Sequence, residues 1–402
     1  MIPLAMARQF VLDGCAPLVP RQIPLDKALG CVSSEAIVAR EAVPAFANTA
    51  MDGYAVRAAD TEGAPVRLSV VGTVAAGTAP SAALGAGQAM RIMTGAPIPP
   101  GCDAIVMVER THTEGAEVIV EQPARPGDHL RLPGDDIAPG QEVFPPRTAL
   151  GPGHLGVVAS LGHTSVAAYP QALVGVLSTG DELVEGGAHL QPGQIRDSNR
   201  HALLALLARS GCVPMDLGIA PDNEAAITSA VEAALPTCDA VVASGGVSMG
   251  DFDYVKVVLD RLSAGSMRWM QVAIRPAKPL AFGVIEGRPV FGLPGNPVSS
   301  MVSFELFARP GLRAMMGHDQ LDRVHVEAVA DESLRRRPDG KLHLARVIAT
   351  PRSDGRFHLR SAGGQASHQL SAMALANALA LLPDGEGIDA GDCVTTMLLG
   401  EL

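Results

Sequence analysis

The chain has 402 residues, and at about 150 residues per domain that length argues against a single core. Hydrophobic residues make up 47%, charged residues 18% and aromatics 3%, a mix that folds around an aliphatic interior and does not read as disordered. The 42 acidic against 31 basic residues leave a formal charge of -11, which argues against broad electrostatic capture of nucleic acid or an anionic membrane.

In chain order, residues 3–13 read as a short helix stopped by Gly14, and residues 25–39 as a second helical piece broken at Gly30. From 40 to 140 the pattern turns to short β-like runs at 67–74, 90–93, 104–108 and 117–121, separated by Gly and Pro clusters. Residues 154–161, ended by Gly162, read as a helix that returns the chain to its first pieces and makes an early domain discontinuous. Between 171 and 320 strands alternate with helices: strand 172–177, helix 200–209 with Gly211 after it, helix 222–235, strand 240–243 and strand 289–293. That alternation predicts a parallel sheet with crossover helices. The last strand runs into Pro294-Gly295-Asn296-Pro297 and an apolar helix through Phe307, with Pro297 suited to its first turn. Alternation at 324–327 and 341–344 predicts a small antiparallel sheet or barrel in the tail.

The six cysteines stand far apart without a CxxC pair, so neither a zinc knuckle nor a disulfide framework is indicated, and reduced thiols in a cytoplasm are expected. Apolar runs such as 372–382 fall short of the roughly 18 residues a membrane helix needs. Arg8 and Asp13 interrupt the apolar N-terminus, which argues against a signal peptide.

Ligands of an open α/β sheet bind beyond the carboxyl ends of its strands. Here those ends carry 178–182 (Ser-Thr-Gly-Asp-Glu), the glycine-rich 244–253 and the Gly-Asn-Pro turn at 295–297. The glycines let backbone N–H groups approach an anion, and the helix from Pro297 adds its positive dipole end, so a phosphate suits the site. Tight turns with no ligand are the plainer alternative. Carboxylates Asp181, Glu182, Asp251 and Asp253 would repel one another by roughly 4 kcal/mol for a pair about 4 Å apart. A divalent cation relieves that cost, and oxygen ligands favour magnesium over zinc; Glu182 and Asp251 are the candidate ligands, while Asp253 before Tyr254 also reads as a helix cap. Arg275 and Lys278 lie in a stretch stiffened by Pro276 and Pro279, where they would grip an anion or remain solvated. In the β-rich region, 48–55 and 93–96 place Asp52 and Thr94 in expected loops. Zincin and hydrolase spacings and the Walker pattern are absent, and Trp269 and the methionines read as packing residues rather than a base-stacking platform.

The ordered set 44–55, 93–96, 134–137, 178–183, 245–248 and 292–297 closely resembles the MoeA family, which includes the gephyrin E domain, and the resemblance runs from about residue 5 to the C-terminus. It implies an α/β and β multidomain fold: an α/β three-layer molybdopterin-binding domain with a parallel sheet (1–20 plus 171–322), a β-rich domain (40–140), a discontinuous linking domain (21–39 plus 141–170) and a C-terminal small β-barrel (323–402). The implied activity is insertion of molybdate into adenylylated molybdopterin with magnesium-dependent release of AMP. The implied assembly is an elongated homodimer with its cleft between the α/β domain of one subunit and the β-rich domain of the other. By motif position, Asp52, Thr94 and Asp136 would line one side as catalytic residues, and Glu182, Asp222 and Asp253 the other. Gly245, Gly246, Ser248, Arg275, Lys278, Pro294, Asn296 and Pro297 would bind substrate, with Mg2+ on Glu182 and Asp251. A molybdopterin adenylyltransferase and molybdoenzyme chaperones are the implied partners. The chain departs from the family at Gln271, Arg275 and Ala277, where Lys, Lys and Gly are more usual. The alternative is a non-catalytic pterin-binding or scaffold paralogue, for which Gln271 is the main support; a nucleotidyltransferase or nucleotide hydrolase sharing only the α/β domain is a third reading.

Overall fold

Runs such as 173–179 and 240–244 are apolar without alternation, the pattern of strands covered on both faces. A computed structural model describes residues 1–80, 82–187, 189–246 and 254–400; Ser248, Asp251 and Asp253 lie outside the described residues. The chain divides into two compact units, one of 1–23, 30–34 and 167–402, the other of 24–29 and 35–166.

The larger unit holds a six-stranded sheet. Its strands in chain order are β1 (Leu173–Thr179), β2 (Val213–Ala220), β3 (Ala240–Ser244), β4 (Arg268–Gln271), β5 (Pro279–Ile285) and β6 (Arg288–Leu293), arranged β2-β1-β3-β6-β5-β4. The first four in that order are parallel, and β5 and β4 are added antiparallel. Helices α1 (Leu4–Asp13), α2 (Asn199–Arg209), α3 (Glu224–Ala234), α4 (Tyr254–Leu262) and α5 (Pro297–Ser303) accompany it. Successive residues of each strand point to opposite faces, so Val174, Val176 and Val242 join Val11, Leu203 and Val302 in one core. Leu177 and Val241 join Ile227, Val231, Val255 and Val258 in another. The result is the three-layer sandwich the alternation predicts. Gly14 ends α1 where an added Cβ would lie 2.5 Å from the Phe282 ring. After α5 the chain passes through wider turns at Phe304–Ala308 into a further helical stretch, Arg309–Met315, so this rod extends past Phe307.

In the tail, β7 (His325–Ala330), β8 (Leu342–Pro351), β9 (Phe357–Ser361), β10 (Ala378–Leu382) and β11 (Cys393–Leu398) pair in the order β8-β9-β7-β11-β10. β10 returns to β8, closing a five-stranded barrel around Val347, Leu359 and Leu398. The short strand Ile274–Arg275 runs parallel to the start of β8 and sets Arg275 opposite His343.

The smaller unit is built on a six-stranded sheet in the order 104–107, 53–56, 88–92, 66–74, 117–120, 111–114. The four expected β-runs are all strands of it. The helix near 154–161 is present as Pro152–Ser160, followed by Gly162 at φ 80°.

Two expectations fail. Residues 25–39 form no helix: a single 3-10 turn, Leu25–Lys27, precedes short strands Val32–Ser33 and Ile37–Val38. Gly30 at φ 77° breaks the run, and β-branched Val32 and Ile37 pair with Tyr169 and Phe144, so sheet pairing overrides the local pattern. The segment 48–55 is not a plain loop but a strand pair, Asn48–Thr49 and Gly53–Val56, around the turn that carries Asp52.

Among the described residues no helix is long and apolar enough to cross a membrane, and none of the six cysteines is joined in a disulfide. Burial pushes Cys15 and Cys212 up to about 12 and Cys102 to about 11, which makes these three poor nucleophiles.

Candidate functional site

Parallel strands β1, β3 and β6 end side by side, and the three expected strand-end segments meet in one cavity of about 830 Å3. Thr179, Gly180 and Glu182 come from the first, Ser244, Gly245 and Gly246 from the second, and Pro294, Gly295, Asn296 and Pro297 from the third. Close approach explains the glycines. Gly245 has φ 101°, and a Cβ there would fall 2.6 Å from the Thr179 carbonyl oxygen. A side chain would therefore part β1 from β3 at the cavity floor.

Asn199, the first residue of α2, ties two of these ends together: its Nδ2 donates to Ser244 Oγ at 2.8 Å and to the Gly295 carbonyl at 2.7 Å. Ser178 Oγ donates to buried Asp197 at 3.1 Å, and Asp197 holds Arg200 Nε at 3.0 Å. Arg200 also pairs with Asp216 and Glu185. This network fixes the 196–199 wall of the cavity. Sequence reasoning passed over residues 196–199, although their place just before the predicted helix 200–209 was a usable signal.

Asp222 lines the cavity with Glu182. Helix α3 is capped by the neighbouring Asn223, whose side chain accepts the Ala226 N–H at 2.9 Å, which leaves Asp222 free of capping. Its N–H donates to Asp181 Oδ1 at 2.9 Å. Burial first, and then the charges of Asp181 and Glu182, raise its carboxyl above the ordinary value despite a hydrogen bond from the Asp181 backbone. Asp181, Glu182 and Asp222 thus act on one another here; of the four carboxylates expected to crowd, Asp251 and Asp253 lie outside the described residues. Among the described residues no group of three or more His, Cys, Asp or Glu is placed to hold a metal ion.

The helix that starts at Pro297 was expected to add its positive dipole end at this place, and its own first N–H groups are not available to an anion. Proline has none, and the Val298 N–H donates to the Ser367 carbonyl at 3.2 Å. Ser367 belongs to a segment after β9 that also brings His368 and Leu370 to the cavity.

A second cavity, about 770 Å3, lies among Arg275, Arg335, Arg336, His343, Arg346 and, from the end of β9 onward, Ser361, Gln365, Ala366 and Gln369. Arg346 is completely buried. Its Nη2 donates to the carbonyls of Gly364 at 2.8 Å and Ala366 at 3.2 Å, its Nε has no partner, and among the described residues no carboxylate pairs with it. Burial lowers its affinity for the proton. A desolvated cation met only by carbonyl dipoles is costly unless an anion joins it. Arg336, nearly as buried, is by contrast paired with Asp339 and Asp384. Nothing in the local pattern around Arg346, an arginine within an apolar strand, marked it as a site residue.

Of the predicted substrate-binding pair, Arg275 lines this second cavity, 3.9 Å from Asp339. Lys278 is exposed and lines neither described cavity; its carbonyl accepts the Val272 N–H. Gln271 ends edge strand β4, where its carbonyl accepts the Ile2 N–H at 2.8 Å, and it too lines neither. Ala277 has φ 72°, a conformation that favours glycine.

In the smaller unit Asp52 and Thr94 meet. Asp52 Oδ1 accepts both the Thr94 N–H and the Thr94 hydroxyl at 2.7 Å. These two bonds, the backbone one first, hold the Asp52 carboxyl below its ordinary value, so it stays an anion. Asp136 is held by other contacts: its N–H donates to the Val43 carbonyl at 3.0 Å.

Comparison with known proteins bears directly on this arrangement. Residues 2–162 match the model of the MoeA N-terminal region (domain I and II), 175–314 that of a probable molybdopterin binding domain, and 327–399 that of the MoeA C-terminal region (domain IV). The chain is 38% identical over 399 residues to a molybdopterin molybdenumtransferase of Haemophilus influenzae, covering 98% of each. The chain belongs to the MoeA family. It is also 38% identical over 382 residues to molybdopterin molybdenumtransferase 2 of Mycobacterium tuberculosis, covering 93% of each. A solved molybdopterin biosynthesis protein of this family from Pyrococcus horikosii superposes with a TM-score of 0.80 at 30% identity, covering all of both chains. The α/β body with its strand-end cavity lies within the molybdopterin-binding match, and the barrel within the C-terminal one.

Proposed function

We propose that this chain is a molybdopterin molybdenumtransferase that places molybdate on adenylylated molybdopterin and releases AMP. The observation that carries the reading is the convergence of three glycine-bearing strand ends on one cavity, with an uncompensated buried arginine in a second cavity of the same unit. The first suits the phosphates of a pterin nucleotide, which backbone N–H groups at glycine turns approach closely. The second suits an oxyanion, whose charge Arg346 and Arg275 would meet.

The reaction asks the protein to position two anions and to manage charge, not to supply a nucleophile. Asn199 and the Asp197–Arg200 network keep the strand ends in register. Glu182 and Asp222 contribute the negative wall against which a cation and the phosphates would be ordered. Magnesium characteristically takes one or two carboxylates and completes its shell with water and substrate phosphate. The donor set here fits that partial role, with Glu182 and, outside the described residues, Asp251 as its holders; the ion would neutralise charge on the departing phosphate. We assign the Asp52–Thr94 pair and Asp136 to the same reaction, contributed by a second copy of the chain to complete the cleft of a homodimer. Gln271, the support for a non-catalytic paralogue, lines neither cavity, which weighs against that alternative.

The purified protein, given adenylylated molybdopterin and molybdate, should generate a product that activates a cofactor-free molybdoenzyme, and Arg346→Met should lose that capacity at low molybdate. Tight pterin binding with no activation by the wild type would support the scaffold reading instead.

A further inference from the structure

One segment of chain walls both cavities. Ser361, Gln365, Ala366 and Gln369 face the arginine-lined cavity, while His368 and Leu370 face the strand-end cavity. This strap is clamped from the barrel side by Arg346, whose guanidinium holds the carbonyls of Gly364 and Ala366. The Gln365 side chain accepts the Arg346 N–H at 2.9 Å and donates to the Arg346 carbonyl at 3.0 Å. Gln369 Oε1 accepts the Ala366 N–H at 2.8 Å. From the α/β side the Ser367 carbonyl takes the Val298 N–H of α5. Each residue from 364 to 367 therefore has a fixed partner on one side or the other, and His368 is carried at the end of the clamp.

The charges of the strand-end cavity make His368 stand out. Among the described residues its acidic members are Glu182, Asp197 and Asp222, and its basic ones are Arg196 and His368. Arg196 Nη1 is engaged by the Glu185 carbonyl at 3.4 Å. Among the described residues the His368 ring has no hydrogen-bond partner, although it offers at least one N–H donor in any protonation state.

We propose that the 361–370 strap couples the two cavities, with His368 as the residue that binds nucleotide phosphate in one when an oxyanion occupies the other. The inference rests on the functional reading above, which supplies the two ligand classes. An oxyanion in the arginine-lined cavity would add a bridge from the strap wall to the opposite wall of Arg275 and His343, and so hold the strap more firmly than its own hydrogen bonds do. Less freedom is then left to lose when phosphate meets His368, which makes the second binding event tighter. The effect is reciprocal by thermodynamic necessity.

The test is calorimetric titration of the full-length protein with AMP and with molybdate, each alone and each in the presence of the other at saturation. Wild type should bind AMP about 5- to 50-fold more tightly with molybdate present, and molybdate more tightly with AMP by the same factor. In His368→Ala, and in His368→Gln where packing is kept, molybdate alone should bind unchanged, AMP should bind more weakly, and the coupling factor should fall to about one. Gly364→Ala touches neither ligand but sets a methyl 2.2 Å from Gln369 Oε1; displacing that amide frees the Ala366 N–H, and the coupling should fall there too. Independent binding of the two ligands by wild type, or coupling that survives both His368 substitutions, overturns the proposal. Failure of wild type to bind either ligand is a separate result, which overturns the functional reading and this inference with it.

Discussion

Gly245→Ala should damage both the fold and the strand-end cavity, by an amount the structure sets. Alanine at φ 101° adopts a left-handed backbone at a cost of about 1–2 kcal/mol. Its methyl would lie 2.6 Å from the Thr179 carbonyl oxygen and 2.9 Å from Thr179 Oγ1, where ordinary contact begins at 3.4 Å. Both contacts belong to β1, whose backbone is fixed by pairing with β2 and β3, so the crowding is relieved only by moving the 244–246 turn, a typical overpacking cost of about 1–3 kcal/mol. Against this stands a gain of about 0.4–1 kcal/mol from the less flexible unfolded chain. The net loss is about 1–5 kcal/mol, read as a lower urea midpoint for the α/β body, together with AMP affinity reduced at least tenfold. Gly156→Ala, within the helix Pro152–Ser160 and with no atom within 4 Å of its added Cβ, is the control and should be neutral or stabilising by up to about 1 kcal/mol. If Gly245→Ala matched that control in stability and in AMP affinity, the close-approach argument would be wrong.

Ala277→Gly relieves a left-handed alanine at φ 72°, about 1–2 kcal/mol, but removes a buried methyl worth about 0.8 kcal/mol and frees the unfolded chain by about 0.4–1 kcal/mol, so stability in urea unfolding should change by less than about 1 kcal/mol; a loss of about 2 kcal/mol or more would contradict the backbone reading. Asp222 has a raised carboxyl pKa in the fold, so between 3.8 and that higher value the folded state binds more protons and stability falls as pH rises. Asp222→Asn should therefore raise the melting temperature at pH 7 and lose that advantage below pH 3.8, while impairing turnover; an unchanged or lower melting temperature at pH 7 would count against the crowding argument. His358, on the β8–β9 hairpin, is raised above 6.5 by hydrogen bonds to Asp331 and then Asp354. Its stabilising contribution is present in full below 6.5 and lost as pH rises through the folded value, so its NMR titration midpoint should exceed 6.5, and Asp331→Asn should lower it.

The sequence was most legible where local chemistry and tertiary role coincide. Strands β1, β3 and β6 are apolar throughout because helices cover both faces, and the turns after them carry glycine because their backbones touch, so the strand-end cavity could be assembled from spacing alone. Strand β2 was invisible because it is an edge strand with exposed Val213 and Asp216 and no apolar run. The 25–39 segment was misread because its apolar spacing suits a helix, while long-range partners at 142–144 and 168–169 draw it into strands. Arg346 was missed for a related reason. What distinguishes it is that among the described residues no carboxylate pairs with it in the folded barrel, a property of packing with no local sequence signature. His368 likewise acquires its position through contacts distant in the chain, the Ser367 to Val298 bond across 69 residues and the hold of Arg346 on 364–366.

The most direct test of the account is AMP release from adenylylated molybdopterin by the purified protein with magnesium, followed with and without molybdate. Release that depends on molybdate, and that Arg346→Met shifts to higher molybdate concentration, is the predicted result. Release at the same rate without molybdate, or no release while the pterin remains bound, would contradict it.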